Sequence, residues 1–214
     1  MARGHDHGAP LMSSSPPVAT DQIDVDTPHG PARAHVHAVA KPRLAVVLGH
    51  GAGGGVTAKD LVKATTAANE AGATVILVEQ PYRVAGRKSS APAHQLDAAW
   101  IATIEQLPIE GLPLVTGGRS AGARVACRTA HATDARGVLC LAFPVHPPGR
   151  PEKSRLEELD EVDRPVLIVQ GESDPFGMPP AAPGREVVTI PGNHSLTGDL
   201  EALGEAVTRW LRAL

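Results

Sequence analysis

Aromatic residues, cysteine and surplus charge are all scarce in this 214-residue sequence. Phe, Trp and Tyr together make up 2% of the chain, too few for the stacked-ring platforms that hold single-stranded nucleic acid. The formal net charge is −3 at pH 7, which provides no basic footprint for a polyanion or an acidic membrane surface. We therefore expect no nucleic-acid partner.

The two cysteines, Cys127 and Cys140, are too few for a disulfide scaffold and match no metal-ligand spacing. We expect them to be reduced and to pack as small apolar side chains. No apolar run approaches the roughly 20 residues that a membrane span needs, and the N-terminus has no signal-peptide hydrophobic segment. The expectation is a cytoplasmic protein with no membrane partner, metal or cofactor.

The chain divides into a short polar start and one domain. Residues 1–20 are rich in Gly, Ser, Pro and His and offer little to bury, so we expect a disordered tail. Met12 is an alternative start to Met1. Residues 21–214 suffice for a single domain with a full core, as a monomer or a homodimer.

Apolar runs and helical periodicities alternate along this domain. The predicted strands are 21–26, 32–40, 44–48, 74–78, 112–116, 138–143, 165–169 and 186–190. The predicted helices are 57–71, 92–106, 121–133 and a last one from about 197, and Thr57 and Asp60 have the spacing of an N-cap and its third residue. This order indicates an α/β fold, a doubly wound and mostly parallel sheet with an N-terminal antiparallel hairpin. Ligands bind such sheets at the C-terminal ends of the strands.

Gly118-x-Ser120-x-Gly122 stands between a predicted strand and a predicted helix. The pattern G-x-S-x-G holds a nucleophilic serine on a sharp strand-to-helix turn. A serine there takes a strained conformation and crowds its neighbours, so glycines flank it. Ala121 would begin the helix and present a free N–H to an oxyanion. An ordinary serine-containing loop can match the same pattern by chance, so the context decides.

Asp174 and His194 follow two later predicted strands. Together with Ser120 they occur in the chain order expected on an α/β-hydrolase sheet. An imidazole can accept the serine proton and later donate it, and a carboxylate on its other nitrogen fixes the tautomer. Simpler interpretations are an ordinary turn at Asp174-Pro175, an ordinary loop histidine, or Glu172 as the acid.

Further candidates lie in the loops around these residues. The second oxyanion donor is expected from Gly51 or Ala52, in a glycine-rich loop that follows a strand. His50, Arg119 and His146 are candidates for lining the substrate pocket. Arg119 could instead pair with a carboxylate, and His146 could be structural.

The same glycine-rich loop offers a different class of function. Gly49-x-Gly51-x-x-Gly54 follows a strand and precedes a helix, and Glu79 stands 25 residues further on. These are features of a dinucleotide-binding unit. An NAD(P)-binding oxidoreductase is therefore an alternative, although it leaves the serine, aspartate and histidine unexplained. Glu79 is also a possible ion-pair partner for Arg119.

Five segments carry a resemblance to a known family. They are GHGAGG at 49–54, GGRSAG at 117–122, FPVHPPG at 143–149, QGESD at 170–174 and GNH at 192–194. Over about residues 20–214 the chain resembles small α/β hydrolases of the dienelactone-hydrolase-like group. Within that group it is most similar to the branch that contains testis-expressed protein 30 and the third subunit of the NSL chromatin complex.

The resemblance implies an eight-stranded sheet with Ser120 as nucleophile, Asp174 as acid and His194 as base. Many relatives insert a lid domain after the sixth strand, whereas here the connection at 144–164 has only about 21 residues. We therefore expect an open site without a lid, and a carboxylesterase acting on small or medium soluble acyl esters through an acyl-enzyme. Because chromatin-associated members are regarded as scaffolds, a non-catalytic binding protein is the alternative.

Overall fold

The computed structural model of the protein describes residue 19 and residues 21–214, so all of the predicted tail except Ala19 lies outside the described residues. The strands are β1 Asp21–Val25, β2 Ala32–His37, β3 Leu44–Gly49, β4 Ala73–Glu79, β5 Leu114–Arg119, β6 Gly137–Leu141, β7 Val166–Gly171 and β8 Arg185–Ile190. The helices are α1 Lys59–Glu70, α2 Pro81–Val84, α3 Ala93–Ile104, α4 Ala121–Thr129, α5 Glu157–Asp160 and α6 Leu200–Ala213. Within this part of the chain, no helix has the length and apolar character needed to cross a membrane.

The described strands form one eight-stranded sheet in the order β1-β2-β4-β3-β5-β6-β7-β8. β2 pairs antiparallel with both β1 and β4, and the remaining pairs are parallel. The predicted doubly wound sheet with an antiparallel N-terminal edge is confirmed. β3, β6 and β7 are buried along their whole length, because helices cover both faces of a parallel sheet.

Alternate residues of β3 belong to cores on opposite faces of the sheet. Val46 packs in a cluster with side chains of α1 and α6, which contact each other on one face. Val47 packs in a second cluster that includes Trp100 of α3, on the other face beside α4. Cys127 of α4 and Cys140 of β6 are buried free thiols in a third cluster, with their sulfurs 3.6 Å apart.

The structure differs from the prediction at several element ends. α1 begins at Lys59 after Ala58, so the predicted cap by Thr57 is wrong. The reason is tertiary: the Asp60 carboxylate is bound by an arginine on β5. α6 begins later than predicted, at Leu200, because the Asp199 side chain accepts the Ala202 N–H at 2.9 Å and caps the helix. The short helices α2 and α5 were not predicted.

Candidate active site

Ser120 joins β5 to α4 on a strained turn. Its backbone has φ 52° and ψ −107°, a region that L-residues rarely occupy. A Cβ added to Gly118 or to Gly122 would lie 2.5 Å from the Gly49 carbonyl oxygen at the end of β3. The two glycines of the motif therefore let the turn pack directly against β3.

A continuous chain of hydrogen bonds links Ser120, His194 and Asp174. Ser120 Oγ lies 2.9 Å from His194 Nε2, and His194 Nδ1 lies 2.8 Å from Asp174 Oδ2. An ionised carboxylate only accepts hydrogen bonds, so the proton sits on Nδ1 and Nε2 is free to accept from the hydroxyl. The structure thus brings together three side chains from the loops after β5, β7 and β8.

The Asp174 side chain is held by further hydrogen bonds and is almost fully buried, with 1% of it exposed. Its Oδ1 accepts the Phe176 N–H at 2.9 Å, and its Oδ2 accepts Gln170 Nε2 at 2.9 Å. Gln170, at the end of β7, also donates to the carbonyls of Phe143 and Gly177. Gln170 was not predicted as a site residue, although a single polar residue near the end of an apolar strand is a usable signal in the sequence.

The candidate oxyanion donors lie around Ser120. Ala121 is the first residue of α4, and its N–H has no acceptor within the helix. Ala121 and Ala52 both line the cleft beside Ser120. A Cβ on Gly51 would lie 3.6 Å from Ser120 Cβ, so the glycine-rich loop passes close to the serine. Both predicted loops are therefore adjacent to the hydroxyl.

His50 is not among the residues that line this cleft. It is buried beneath the glycine-rich loop, where Nε2 accepts the Gln80 N–H at 3.2 Å and Nδ1 donates to the Gly51 carbonyl at 2.8 Å. Burial lowers the pKa of His50. The nearby Tyr82 hydroxyl donates to the Ala52 carbonyl at 3.0 Å. His50 therefore anchors the loop to the end of β4.

Arg119 lines the cleft but is engaged in an ion pair. Its Nε donates to Asp60 Oδ2 at 2.7 Å, and its Nη2 donates to the His194 carbonyl at 3.1 Å. Burial raises the pKa of Asp60 more than the guanidinium lowers it. Glu79, the carboxylate suggested by the sequence, instead accepts from His35 at 3.3 Å. The partner of Arg119 thus comes from α1.

His146 is not among the residues that line the cleft. Its Nδ1 donates to the Pro147 carbonyl at 2.9 Å, and its backbone N–H donates to the Phe176 carbonyl at 3.3 Å. The Phe176 ring contacts His194 edge-on, with ring centroids 4.4 Å apart. Pro144 and Pro148, two positions to either side of His146, do line the cleft. Through its backbone N–H, His146 supports the Phe176 segment that packs on His194.

The cleft itself has a volume of about 430 Å³ and opens at the C-terminal edge of the sheet. Ser120, His194 and Phe176 lie on its wall together with residues of the loop before α3. Four arginines also line it: Arg119, Arg124, Arg128 and Arg155.

A serine on a strained β5–α4 turn, an eight-stranded sheet of this order and the Ser-Asp-His succession define the α/β-hydrolase class of fold. The comparison with known families agrees. The chain belongs to the alpha/beta hydrolase domain family, whose sequence profile matches residues 42–195.

Several solved structures share this fold at low sequence identity. An α/β serine hydrolase without a lid from Xanthomonas campestris superposes with a TM-score of 0.72 and 23% identity, covering 91% of this chain and 96% of that one. Dienelactone hydrolase from Anabaena variabilis gives 0.69 and 15%, covering 89% and 95%. Est1E from Butyrivibrio proteoclasticus, with ferulic acid bound, gives 0.71 and 18%, covering 88% and 97%.

The strain at Ser120 leads to a stability prediction. Ser120→Gly and Ser120→Ala both remove the hydroxyl, but they differ in how readily the new residue adopts φ 52° and in the chain entropy lost on folding. We expect Ser120→Gly to be the more stable variant by about 1 kcal/mol, because relief of strain exceeds the entropy lost by glycine on folding. Urea unfolding of both variants measures the difference.

The matched control is the same pair of substitutions at Ser89, which is exposed and is not among the residues with positive φ. There the alanine variant should be at least as stable as the glycine variant. An alanine variant at position 120 as stable as the glycine variant would show that the turn stores no strain.

Proposed function

We propose that the protein is a serine hydrolase, a carboxylesterase that acts on small or medium soluble acyl esters. The observation that supports this proposal is the hydrogen-bond chain from Asp174 through His194 to Ser120, with distances of 2.8 and 2.9 Å. The hydroxyl ends this chain in an open cleft, where a substrate carbonyl can reach it.

In the proposed first half-reaction, Ser120 Oγ attacks the ester carbonyl carbon while His194 Nε2 takes the hydroxyl proton. Asp174 stabilises the resulting imidazolium. The Ala121 N–H and an N–H of the loop at Gly51 or Ala52 stabilise the oxyanion. The intermediate then expels the alcohol, which takes the proton from His194, and an acyl-enzyme remains.

In the second half-reaction, His194 takes a proton from water as the water oxygen attacks the acyl carbon. The second tetrahedral intermediate collapses with return of the proton to Ser120 Oγ and release of the carboxylic acid. Each bond made to the acyl carbon is therefore balanced by one broken, and no further reactant is needed.

The dinucleotide-binding alternative fits the contacts less well. Glu79, the candidate ribose ligand, is bonded to His35. The Asp60 carboxylate occupies the first turn of α1 and accepts the Leu61 N–H at 2.9 Å. A carboxylate there opposes binding of a pyrophosphate at the same helix terminus. We therefore favour the hydrolase and keep the non-catalytic binding protein as the second candidate.

The finer family placement is also a proposal. We assign the chain to the dienelactone-hydrolase-like group, and within it to the branch of testis-expressed protein 30 and the NSL complex subunit. The support is the sequence at Gly118-Arg119-Ser120 and at His146-Pro147-Pro148-Gly149. In the structure, both segments border the cleft.

A fluorophosphonate probe tests the nucleophile. We expect stoichiometric labelling of Ser120 in the wild-type protein, because the hydroxyl can displace fluoride when His194 accepts its proton. Labelling should vanish in Ser120→Ala and fall strongly in His194→Ala, and peptide mapping by mass spectrometry locates the adduct. Ser173→Ala, an exposed serine in the Asp174 loop, is the control. An unlabelled wild-type protein would favour the non-catalytic alternative.

Asp174→Asn tests the acid. Phe176 N–H binds Oδ1, so the new amide oxygen should take that position and place the amide NH₂ against His194 Nδ1. His194 would then carry its proton on Nε2 and could not accept from Ser120. We expect kcat to fall by about 10⁴-fold without loss of fold, measured by ester hydrolysis and circular dichroism.

Glu172→Gln is the matched control, since Glu172 is exposed in the same loop. It should retain the wild-type rate. A large loss in Glu172→Gln together with an unchanged rate in Asp174→Asn would reassign the acid to Glu172.

The open cleft predicts selectivity for chain length. Residues 142–165, between β6 and β7, contain only the four-residue helix α5 and form no lid domain. Among the described residues the exposed large hydrophobic side chains are Met178 and Leu214, far less than the large apolar surface that binds a lipid aggregate. With 4-nitrophenyl esters from acetate to palmitate, kcat/KM should be highest for short or medium chains. Robust hydrolysis of long-chain triglyceride emulsions, with little on short esters, would contradict this.

A further inference from the structure

Three of the arginines that line the cleft are not used by the proposed mechanism. Arg124 and Arg128 lie four positions apart on α4, and hence on one face of the helix. Arg155 lies in the β6–β7 connection, just before α5. All three line the same cleft as Ser120 and His194, and we call them the arginine wall.

Two carboxylates neutralise part of this wall. Arg128 donates to both oxygens of Asp97, at 2.8 and 2.6 Å, and to Glu158 at 3.2 Å. Arg124 donates to both oxygens of Glu158, at 2.8 and 2.5 Å. Three guanidinium groups face two carboxylates, which leaves one positive charge in excess.

Arg155 supplies that excess charge. In the described part of the chain its guanidinium has neither a hydrogen bond nor an ion pair, although the residue is half-buried. Burial, followed by repulsion from Arg124, lowers the pKa of Arg155, and attraction to Glu158 offsets only part of this. Its backbone N–H donates to the Val145 carbonyl at 2.7 Å, which fixes the connection beside the cleft.

A cation that is partly withdrawn from water and lies near two others is stabilised when an anion binds. An arginine presents paired N–H groups that match the two oxygens of a carboxylate or phosphate. A neutral apolar ester offers no such partner. The single excess positive charge of the arginine wall matches one anionic group on a ligand.

We propose that the arginine wall binds a carboxylate or phosphate group carried by the ester substrate, with Arg155 as the main contact. The protein's preferred substrates are then esters that carry an anionic group in addition to the scissile bond. This inference rests on the proposed function, because the wall and Ser120 share one cleft.

Pairs of charged and neutral esters test the preference. On the acyl side, 4-nitrophenyl hydrogen adipate is compared with its methyl ester. On the alcohol side, 4-carboxyphenyl butanoate is compared with 4-(methoxycarbonyl)phenyl butanoate, in which the carboxyl group is methylated. In each pair the measured quantity is the ratio of kcat/KM for the charged ester to that for the neutral ester. We expect at least one pair to favour the charged ester in the wild-type protein.

Arg155→Gln should lower that ratio about 10- to 100-fold, the effect of losing hydrogen bonds to a charged group. Arg150→Gln is the matched control, because Arg150 is exposed on the same connection, does not line the cleft and loses the same charge. It should keep the wild-type ratio. An equal ratio in the wild-type protein and in Arg155→Gln would overturn the inference while leaving the hydrolase proposal intact.

Calorimetric titration of Ser120→Ala with adipate and with butyl phosphate measures the anion site without turnover. Adding Arg155→Gln should weaken binding about tenfold or more, and the tighter of the two ligands identifies the anionic group. If no ester is hydrolysed, this titration decides: binding that depends on Arg155 upholds the anion site although the proposed function fails. Absence of binding by both ligands would then reject the site.

Discussion

The close contact between the Ser120 turn and the end of β3 is the constraint on which the rest of the site depends. Gly118 and Gly122 remove the side chains that would strike the Gly49 carbonyl, so β5 can end in a turn sharp enough to expose a serine. The same contact sets the serine backbone at φ 52°. Because the neighbouring strands and α4 hold both sides of the turn, the strain persists in the folded protein.

Buried polar contacts then position the remaining site residues relative to this turn. The Asp60–Arg119 pair links α1 to β5 and extends to the carbonyl of His194, while Gln170 holds Asp174 at the end of β7. Such pairs add little net stability, since desolvation offsets their attraction, but losing one partner leaves an uncompensated polar group. Their main effect is to fix geometry, which suits a site where the hydrogen bonds must align.

The sequence predicted those features of the structure that a local pattern of residues determines. Alternating and continuous apolar runs predicted the strands and the mostly parallel sheet, and G-x-S-x-G with Asp174 and His194 predicted which loops meet. Local patterns could not reveal Asp60 as the partner of Arg119, 59 positions away, or the structural burial of His50. These depend on which loops the fold packs together. The predicted N-cap at Thr57 is wrong for the same reason, because Asp60 forms a tertiary ion pair with Arg119.

The short β6–β7 connection has two consequences that belong together. It leaves the cleft open, so substrate selection cannot depend on closure of a lid domain. It also places Arg155 beside the serine turn, where α4 already presents two paired arginines. Fixed charge acts on a soluble substrate without any conformational change, because the attraction is present before binding. An open cleft with preset positive charge is therefore physically suited to ionised esters, whereas aggregated lipid would require the apolar surface that a lid domain covers.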